Sequence, residues 1–354
     1  MFSDKGMFFN KAGFFNEAGV PGRMGRKVGS TWNILAPAKL NLYLEVLGSR
    51  ADGFHALETL MVPVRVYDQL FWQGVDTSSS GKGLTLRVRN LLPVASRSDQ
   101  LLEDLSDNLV LRAARLLAKT AGIVPSGRFD LIKRIPLQAG MGGGSSDAAA
   151  TLMLANAAWE IGYSQSQLMP LAAQLGSDVP FFLARYFRSR GAAICRGRGE
   201  LVEPVNRLPQ LHFVVAKPEA GLSTAEVFGH LPVRTETSDE LTALSHARLS
   251  GLISALQSGA IASAACKMTN RLETAAARLA PWLAAMREIF SKTGCVGHFM
   301  TGSGSAYVGV MRSATQARRA ARRLATINLE AGNLEVENLK DRLKMGSVFA
   351  TSSC

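Results

Sequence analysis

The chain has 354 residues, 47% of them apolar, and a formal net charge of +12. That length suits two domains better than one, the apolar share excludes a disordered chain, and no apolar run approaches the ~20 residues needed to cross a bilayer. The excess charge is concentrated: residues 1–30 hold five basic and two acidic groups and residues 312–344 hold eight and four, with no aromatic-studded basic motif accompanying it, so a solvated face is favoured over a nucleic-acid groove. The four cysteines (Cys195, Cys266, Cys295, Cys354) form no CxxC pair and the five histidines are scattered, which fits reduced thiols in a cytoplasmic protein and suggests no metal site built from protein side chains.

Residues 1–30 are expected to form a disordered extension, because their apolar stretches are too short and interrupted for a signal peptide. The first convincing strand is Asn33–Leu47, where Ala36, Ala38, Leu40, Leu42, Leu44 and Val46 alternate with Lys39, Asn41, Tyr43 and Glu45. The pattern predicts a half-exposed strand with Lys39 and Asn41 pointing the same way, away from the main core. After the Asp52–Gly53 turn come β segments at Thr59–Trp72 and Gly83–Asn90, then a helix after Asp107 with apolar residues at helical spacing. Gly127–Ile135 reads as a strand and Ala148–Asn156 as a helix. A further helix, Ser164–Leu175, leads to Asp178, which stands where a helix N-cap would, so a capping role is its default. Gly191–Glu200 reads as a strand and turn.

Pro204 and Pro209 bracket a short polar stretch taken as a domain boundary, giving domains at 31–205 and 206–354. The second half opens with a β run, Leu211–Lys217, followed by helices at Thr224–Gly229 and Asp239–Gln257. A long helical region, Ala260–Lys292, is broken near Pro281. The glycine-rich loop Met300–Ala306 runs into the strand Tyr307–Met311, and a helix, Thr315–Ala325, precedes a last strand or two. Strands and helices alternate without strict βαβ repetition, so the fold class is α+β.

Between the strand ending at Ile135 and the helix after it lies Pro136–Leu137–Gln138–Ala139–Gly140–Met141–Gly142–Gly143–Gly144–Ser145–Ser146–Asp147. Glycines let the backbone approach a ligand closely and aim successive N–H groups into one concavity, and the following helix adds roughly half a positive elementary charge at the same spot. Taken alone, the run is either a phosphate cradle or a tight turn. It is not a P-loop, which needs Lys and Ser/Thr after its last glycine, and it lacks the dinucleotide fingerprint. No G-x-S-x-G elbow is present to suggest a serine hydrolase.

Three segments together resemble the motifs of the GHMP family of small-molecule kinases: Pro37–Ala38–Lys39–Leu40–Asn41–Leu42, the loop Pro136–Ser146, and Thr301–Gly302–Ser303–Gly304–Ser305–Ala306, in the expected order. The resemblance covers about residues 33–345. It implies a two-domain fold, with an N-terminal ribosomal-protein-like βαβ domain and a C-terminal ferredoxin-like α/β plait. Arg50–His55, Asp107–Val110, Gly176–Phe181 and Gly197–Glu200 narrow it to the branch that uses ATP and Mg2+, bound through phosphates, to phosphorylate the 2-hydroxyl of cytidine-diphospho-methylerythritol in the non-mevalonate route to isoprenoids.

By that resemblance Asp178 is the general base and Lys39 balances its charge and steadies the attacking oxygen. The ATP site comprises Pro136, Leu137, Gln138, Ala139, Gly140, Met141, Gly142, Gly143, Gly144, Ser145 and Ser146. Phe54 and Phe228 would sandwich the cytosine, with polar contacts from His55 and Asn41. Thr224 would meet the diphosphate, and Gly302, Ser303, Gly304 and Ser305 the methylerythritol end. The implied partners are small molecules only, without nucleic acid or membrane, and the expected state is monomer or homodimer. A GHMP kinase for homoserine or mevalonate would share the ATP loop but need no Phe54–His55 contact; a basic nucleic-acid-binding protein would need neither Lys39 nor Asp178. Three positions depart from the branch: Phe54 is often tyrosine, Met141 replaces leucine, and Arg271 stands where an acidic residue is usual.

Overall fold

The computed structural model describes residues 31–74, 83–92, 107–187, 191–232, 238–330 and 345–354; the expected N-terminal extension lies outside the described residues. Two long strands, β1 (Thr31–Ser49) and β2 (His55–Gln73), pair antiparallel along their length. β3 (Leu84–Asn90) lies parallel to β4 (Gly127–Lys133), which pairs with Gln69–Gln73 of β2, while Leu57–Met61 of β2 pairs with β5 (Ala193–Gly197) and β5 with β6 (Leu201–Pro204).

Among the described residues four helices accompany this sheet: α1 (Leu109–Ala121), α2 (Gly143–Ala158), α3 (Gln165–Leu175) and α4 (Val179–Tyr186). The Asn108 side chain caps α1 by accepting from the Val110 N–H, and the helix buries the apolar positions its spacing predicts. α2 is buried nearly all round, and its alanines let β1, α1 and α4 approach closely. It starts at Gly143, inside the glycine run and earlier than its sequence suggests. Small size decides this: a Cβ on Gly143 would lie 3.1 Å from Ile135 Cγ2.

The second half supplies β7 (His212–Pro218), α5 (Thr224–Gly229), α6 (Asp239–Gln257), α7 (Ile261–Ala265), β8 (Thr269–Asn270), α8 (Leu272–Leu279), α9 (Trp282–Ser291), β9 (Gly297–Met300), β10 (Tyr307–Met311), α10 (Ala314–Glu330) and β11 (Met345–Ser352). The order β11-β7-β10-β9, antiparallel throughout, is that of the expected α/β plait. The helical region 260–292 breaks at Pro281 as its sequence predicts, between α8 and α9, but breaks again at the two-residue strand β8, which adds parallel to β1 in the first sheet at Tyr43 and Leu44.

β1 runs through all three apolar clusters formed by the described residues. Ile34 and Ala36 pack with the helices of the first half. Leu40 and Leu42 share a cluster with Leu249, Leu252 and Leu256 of α6, and Leu44 and Val46 share one with Leu272, Leu283 and Phe290. The strand is therefore buried on both faces, not half-exposed as its alternation predicts, because the second half of the chain covers the polar face. The cover is tied down by buried polar groups: the Tyr43 hydroxyl lies 2.9 Å from Ser245 Oγ on α6, which donates to Glu58 on β2 at 2.7 Å, and Arg196 on β5 donates to the same carboxylate. A buried carboxylate left without such partners would cost several kcal/mol.

Candidate active site

Lys39 is only 3% exposed although it points from the polar face of β1. Its Nζ donates to Asn41 Oδ1 at 2.5 Å and lies 3.5 Å from Asp178 Oδ2. Asn41, 1% exposed, donates through Nδ2 to Thr59 Oγ1 at 2.9 Å, and its backbone N–H donates to Thr301 Oγ1 at 3.0 Å. The Asn41 amide is engaged at both ends, its Oδ1 with Lys39 and its Nδ2 with Thr59, so it aims the lysine.

Asp178 occupies the N-cap position of α4, but its side chain makes no capping hydrogen bond. The default capping role is thereby replaced: the carboxylate, 27% exposed, turns toward Lys39. The helix start is set instead by Pro180 and by the Phe182 N–H bonding back to the Asp178 carbonyl.

The glycine run meets both other motifs. The Lys39 N–H donates to the Met141 carbonyl at 3.0 Å, and the Ser305 and Ala306 N–H groups donate to the Gln138 and Ala139 carbonyls at 3.1 and 3.3 Å. Gly140 (φ +68°) is required by this closeness, since a Cβ there would stand 2.1 Å from the Thr301 carbonyl oxygen. Ala139 and Met141 are buried, as is Pro136, while Gln138 and Gly144 are exposed and Leu137, Gly140, Gly142, Gly143 and Ser145 are half-buried. The loop thus offers backbone rather than side chain at its surface. Ser146 Oγ and Asp147 Oδ1 are buried with no hydrogen-bond partner among the described residues, two polar atoms left open at the start of α2.

Behind the loop, Lys133 is buried between Asp68 and Asp147, 2.7 Å from Asp147 Oδ2. Burial works against the ammonium, but the Asp147 and Asp68 carboxylates outweigh it and hold Lys133 above its ordinary range. Burial pushes the Asp147 carboxyl up, Lys133 opposing and Asp68 reinforcing. Asp68 Oδ1 also accepts the N–H groups of Arg134 and Ile135, so the triad anchors the chain where it enters the loop.

On the opposite side, Phe54 is 49% exposed and the Arg198 guanidinium lies over its ring, 4.8 Å from the centroid. The His55 and Phe228 rings meet at 5.1 Å, so the two expected stacking aromatics are each held by a different neighbour. A cleft beside His55 is lined by Val46, Gly48, Ser49, Leu231, Pro232 and Arg271. The Thr224 and Ser303 hydroxyls are 2.8 Å apart, joining the start of α5 to the third motif. Gly302 stands close to Lys39, a Cβ there reaching within 3.3 Å of Nζ, and Gly304 lies against Met300 and Leu222. Lys217 shapes the turn before α5 by donating to the Glu219 carbonyl at 3.1 Å, and burial lowers its pKa to about 8.

Two family models match the chain: the GHMP kinases N-terminal domain over residues 108–185 and the GHMP kinases C-terminal domain over residues 252–330. A 4-diphosphocytidyl-2-C-methyl-D-erythritol kinase of Pelotomaculum thermopropionicum is 36% identical over 82% of this chain and 92% of its own. The chain belongs to the 4-diphosphocytidyl-2-C-methyl-D-erythritol kinase branch of the GHMP kinases. Among solved structures, a 4-(cytidine 5'-diphospho)-2C-methyl-D-erythritol kinase is 32% identical, with a TM-score of 0.65 over 91% of this chain and 99% of its own. A homoserine kinase from Cytophaga hutchinsonii, 17% identical with a TM-score of 0.67 over 94% and 97%, shares the fold.

Several residues that hold the site of this GHMP kinase are not evident from its motifs. Asn270 on β8 donates Nδ2 to the Met300 and Gly302 carbonyls, both at 2.7 Å, and Glu273 accepts the Met300 N–H at 3.0 Å, so the third motif hangs from a segment predicted as plain helix. The clue was Thr269–Asn270–Arg271–Leu272–Glu273, a polar break inside an alanine-rich stretch. Arg271, unexplained from sequence, has its guanidinium 3.9 Å from the buried Glu45 carboxylate, which gives that exchange a charge-balancing reason. Thr59 carries no sequence signal of its own, and Arg198, though inside the discriminating Gly197–Glu200 segment, has no role assigned from sequence.

Proposed function

We propose that this kinase transfers the γ-phosphoryl group of ATP to the 2-hydroxyl of 4-diphosphocytidyl-2-C-methyl-D-erythritol, giving the 2-phosphate and ADP. The observation that carries this reading is the Lys39–Asp178 pair, 3.5 Å apart, set beside the glycine loop, where a Cβ on Gly142 would stand 3.1 Å from Lys39 Cγ. Asp178 takes the proton of the attacking hydroxyl as the new P–O bond forms and the bond to the ADP oxygen breaks. A positioned base of this kind contributes about 10²–10⁴-fold. Lys39, fixed by Asn41, balances the aspartate and the attacking oxygen.

Because phosphoryl transfer passes through a loose transition state, the remaining work is alignment and charge stabilisation. The N–H groups from Gly140 to Ser145 and the N-terminus of α2 would face the phosphates, the Ser146 N–H being already bonded to the Gly142 carbonyl at 2.9 Å. Ser146 Oγ, buried and without a hydrogen-bond partner among the described residues, fits a ligand role toward a Mg2+ bound with the phosphates, which would supply neutralisation of phosphate charge. Phe54, His55 and Phe228 suit a flat pyrimidine, and Thr224, Ser303 and Ser305 the polar remainder of the substrate. We assign the segment around Pro204–Pro209 as the boundary between an ATP-binding and a substrate-closing domain, and expect the enzyme to work in the cytoplasm as a monomer or homodimer.

The test is product analysis: with ATP and the cytidylylated substrate, phosphorus NMR should place the new phosphate on the 2-hydroxyl. Phosphate at another position, or ATP hydrolysis without transfer, would contradict the assignment.

A further inference from the structure

An aromatic ring as exposed as Phe54 orders a ligand only if its own orientation is set beforehand. The backbone turn under it is well held: Asp52 Oδ1 accepts the Phe54 N–H at 3.2 Å, and Arg50 pairs with Asp52. The ring itself is covered on one face by Arg198. That arginine is in turn fixed by neighbours. Its NH2 donates to the Ala173 carbonyl in the last turn of α3 at 3.1 Å, its backbone N–H donates to Glu200 Oε2 at 2.5 Å, and Nε lies 4.0 Å from Glu200 Oε1. The hairpin carrying it turns through Gly197 and Gly199, both at positive φ, and a Cβ on Gly199 would come within 3.4 Å of the Ser177 carbonyl, next to Asp178.

We propose that Arg198 is a positioning and specificity residue of the nucleoside pocket: its planar guanidinium occupies one face of Phe54 and leaves the other as the only stacking surface for a pyrimidine base. The inference rests on the functional reading above. A lysine does not replace it, because an ammonium is neither planar nor able to bond Ala173 while lying flat on the ring. Arg198 acts through Phe54 and touches neither the transferred phosphoryl group nor the ATP loop.

The experiment is steady-state kinetics of the full chain with the cytidylylated substrate, comparing wild type with Arg198→Met, Arg198→Lys, Phe54→Ala and the Arg198→Met/Phe54→Ala double variant. Arg198→Met should raise KM for that substrate roughly tenfold with kcat kept within about twofold, and Arg198→Lys should not rescue it. KM for ATP and the urea midpoint should not move. The double variant should have the KM of Phe54→Ala alone, since without the ring the guanidinium has nothing to position. An unchanged KM, additive effects, or a lowered urea midpoint with KM intact would each overturn the proposal. If Arg198→Met does not fold, Arg198→Gln carries the same comparison. A wild type that fails to turn over the cytidylylated substrate overturns the functional reading and this inference with it; a wild type that does, with KM unmoved in the variants, overturns this inference alone.

Discussion

Lys39 Nζ and Asp178 Oδ2 lie 3.5 Å apart although one projects from the centre of β1 and the other from the turn before α4. Neither is held by the other alone: Asn41 fixes the lysine, and the first turn of α4 fixes the backbone of the aspartate. Lys39 is buried while Asp178 stays 27% exposed beside the glycine loop, so the carboxylate can reach a substrate as well as the lysine, which argues for chemistry rather than for stability alone.

Asp178→Asn keeps the shape and removes the base. It should lower kcat by about 10²–10⁴-fold with KM values little changed, and Lys39→Ala should act the same way. Steady-state kinetics decide it; near-normal turnover of Asp178→Asn would show that another group takes the proton.

Gly140 and Gly122 share φ +68°, but a Cβ on Gly140 meets the Thr301 carbonyl at 2.1 Å while one on Gly122 meets nothing within 4 Å. Gly122→Ala should therefore cost only the backbone strain, about 1 kcal/mol, and leave KM for ATP alone. Gly140→Ala should push the two motif loops apart and raise KM for ATP more than about tenfold. Equal behaviour of the two variants would mean that the loop-to-loop contact does not shape the ATP site.

The Asp68–Lys133–Asp147 triad makes stability depend on pH. The Asp147 carboxyl is raised in the folded protein, to about 8, chiefly by burial. Its contribution is therefore fully present below the unfolded carboxylate pKa and is lost as pH rises through the folded value. Urea midpoints should fall between pH 5 and pH 8, and Asp147→Asn should flatten that slope. Lys133→Met, which leaves two buried carboxylates without their cation, should cost about 3–5 kcal/mol and lose more at pH 8 than at pH 6. A wild-type midpoint that rises over this range would contradict the assignment.

Burial, reinforced by the nearby Asp178 and opposed by Lys39, pushes the Cys195 thiol up, whereas Cys266 is exposed. With iodoacetamide, mass spectrometry of the native protein should find Cys266 alkylated and Cys195 untouched until the chain is unfolded. Early labelling of Cys195 would mean that β5 opens readily beside the active site.

Much of this arrangement is legible in the chain because motif residues act locally: glycines mark the close approach, and the alternation in β1 places Lys39 and Asn41 on one face. What escapes is whatever depends on distant cover. The polar face of β1 looks solvent-exposed until α6 and the second sheet close over it, and Asp178 looks like a cap until Lys39 arrives. β8, at two residues, is too short for any periodicity to reveal, yet Asn270 on it holds the third motif. Arg198 lies in the Gly197–Glu200 segment that the sequence singles out, but its relation to Phe54 becomes visible only when the hairpin brings it over the ring.

The most direct measurement is ADP release with 4-diphosphocytidyl-2-C-methyl-D-erythritol beside homoserine and mevalonate under identical conditions. Turnover confined to the cytidylylated alcohol, and abolished by Asp178→Asn, is the predicted result. Comparable turnover of homoserine or mevalonate would leave the fold and the ATP loop standing and contradict the nucleoside pocket at Phe54, His55 and Phe228.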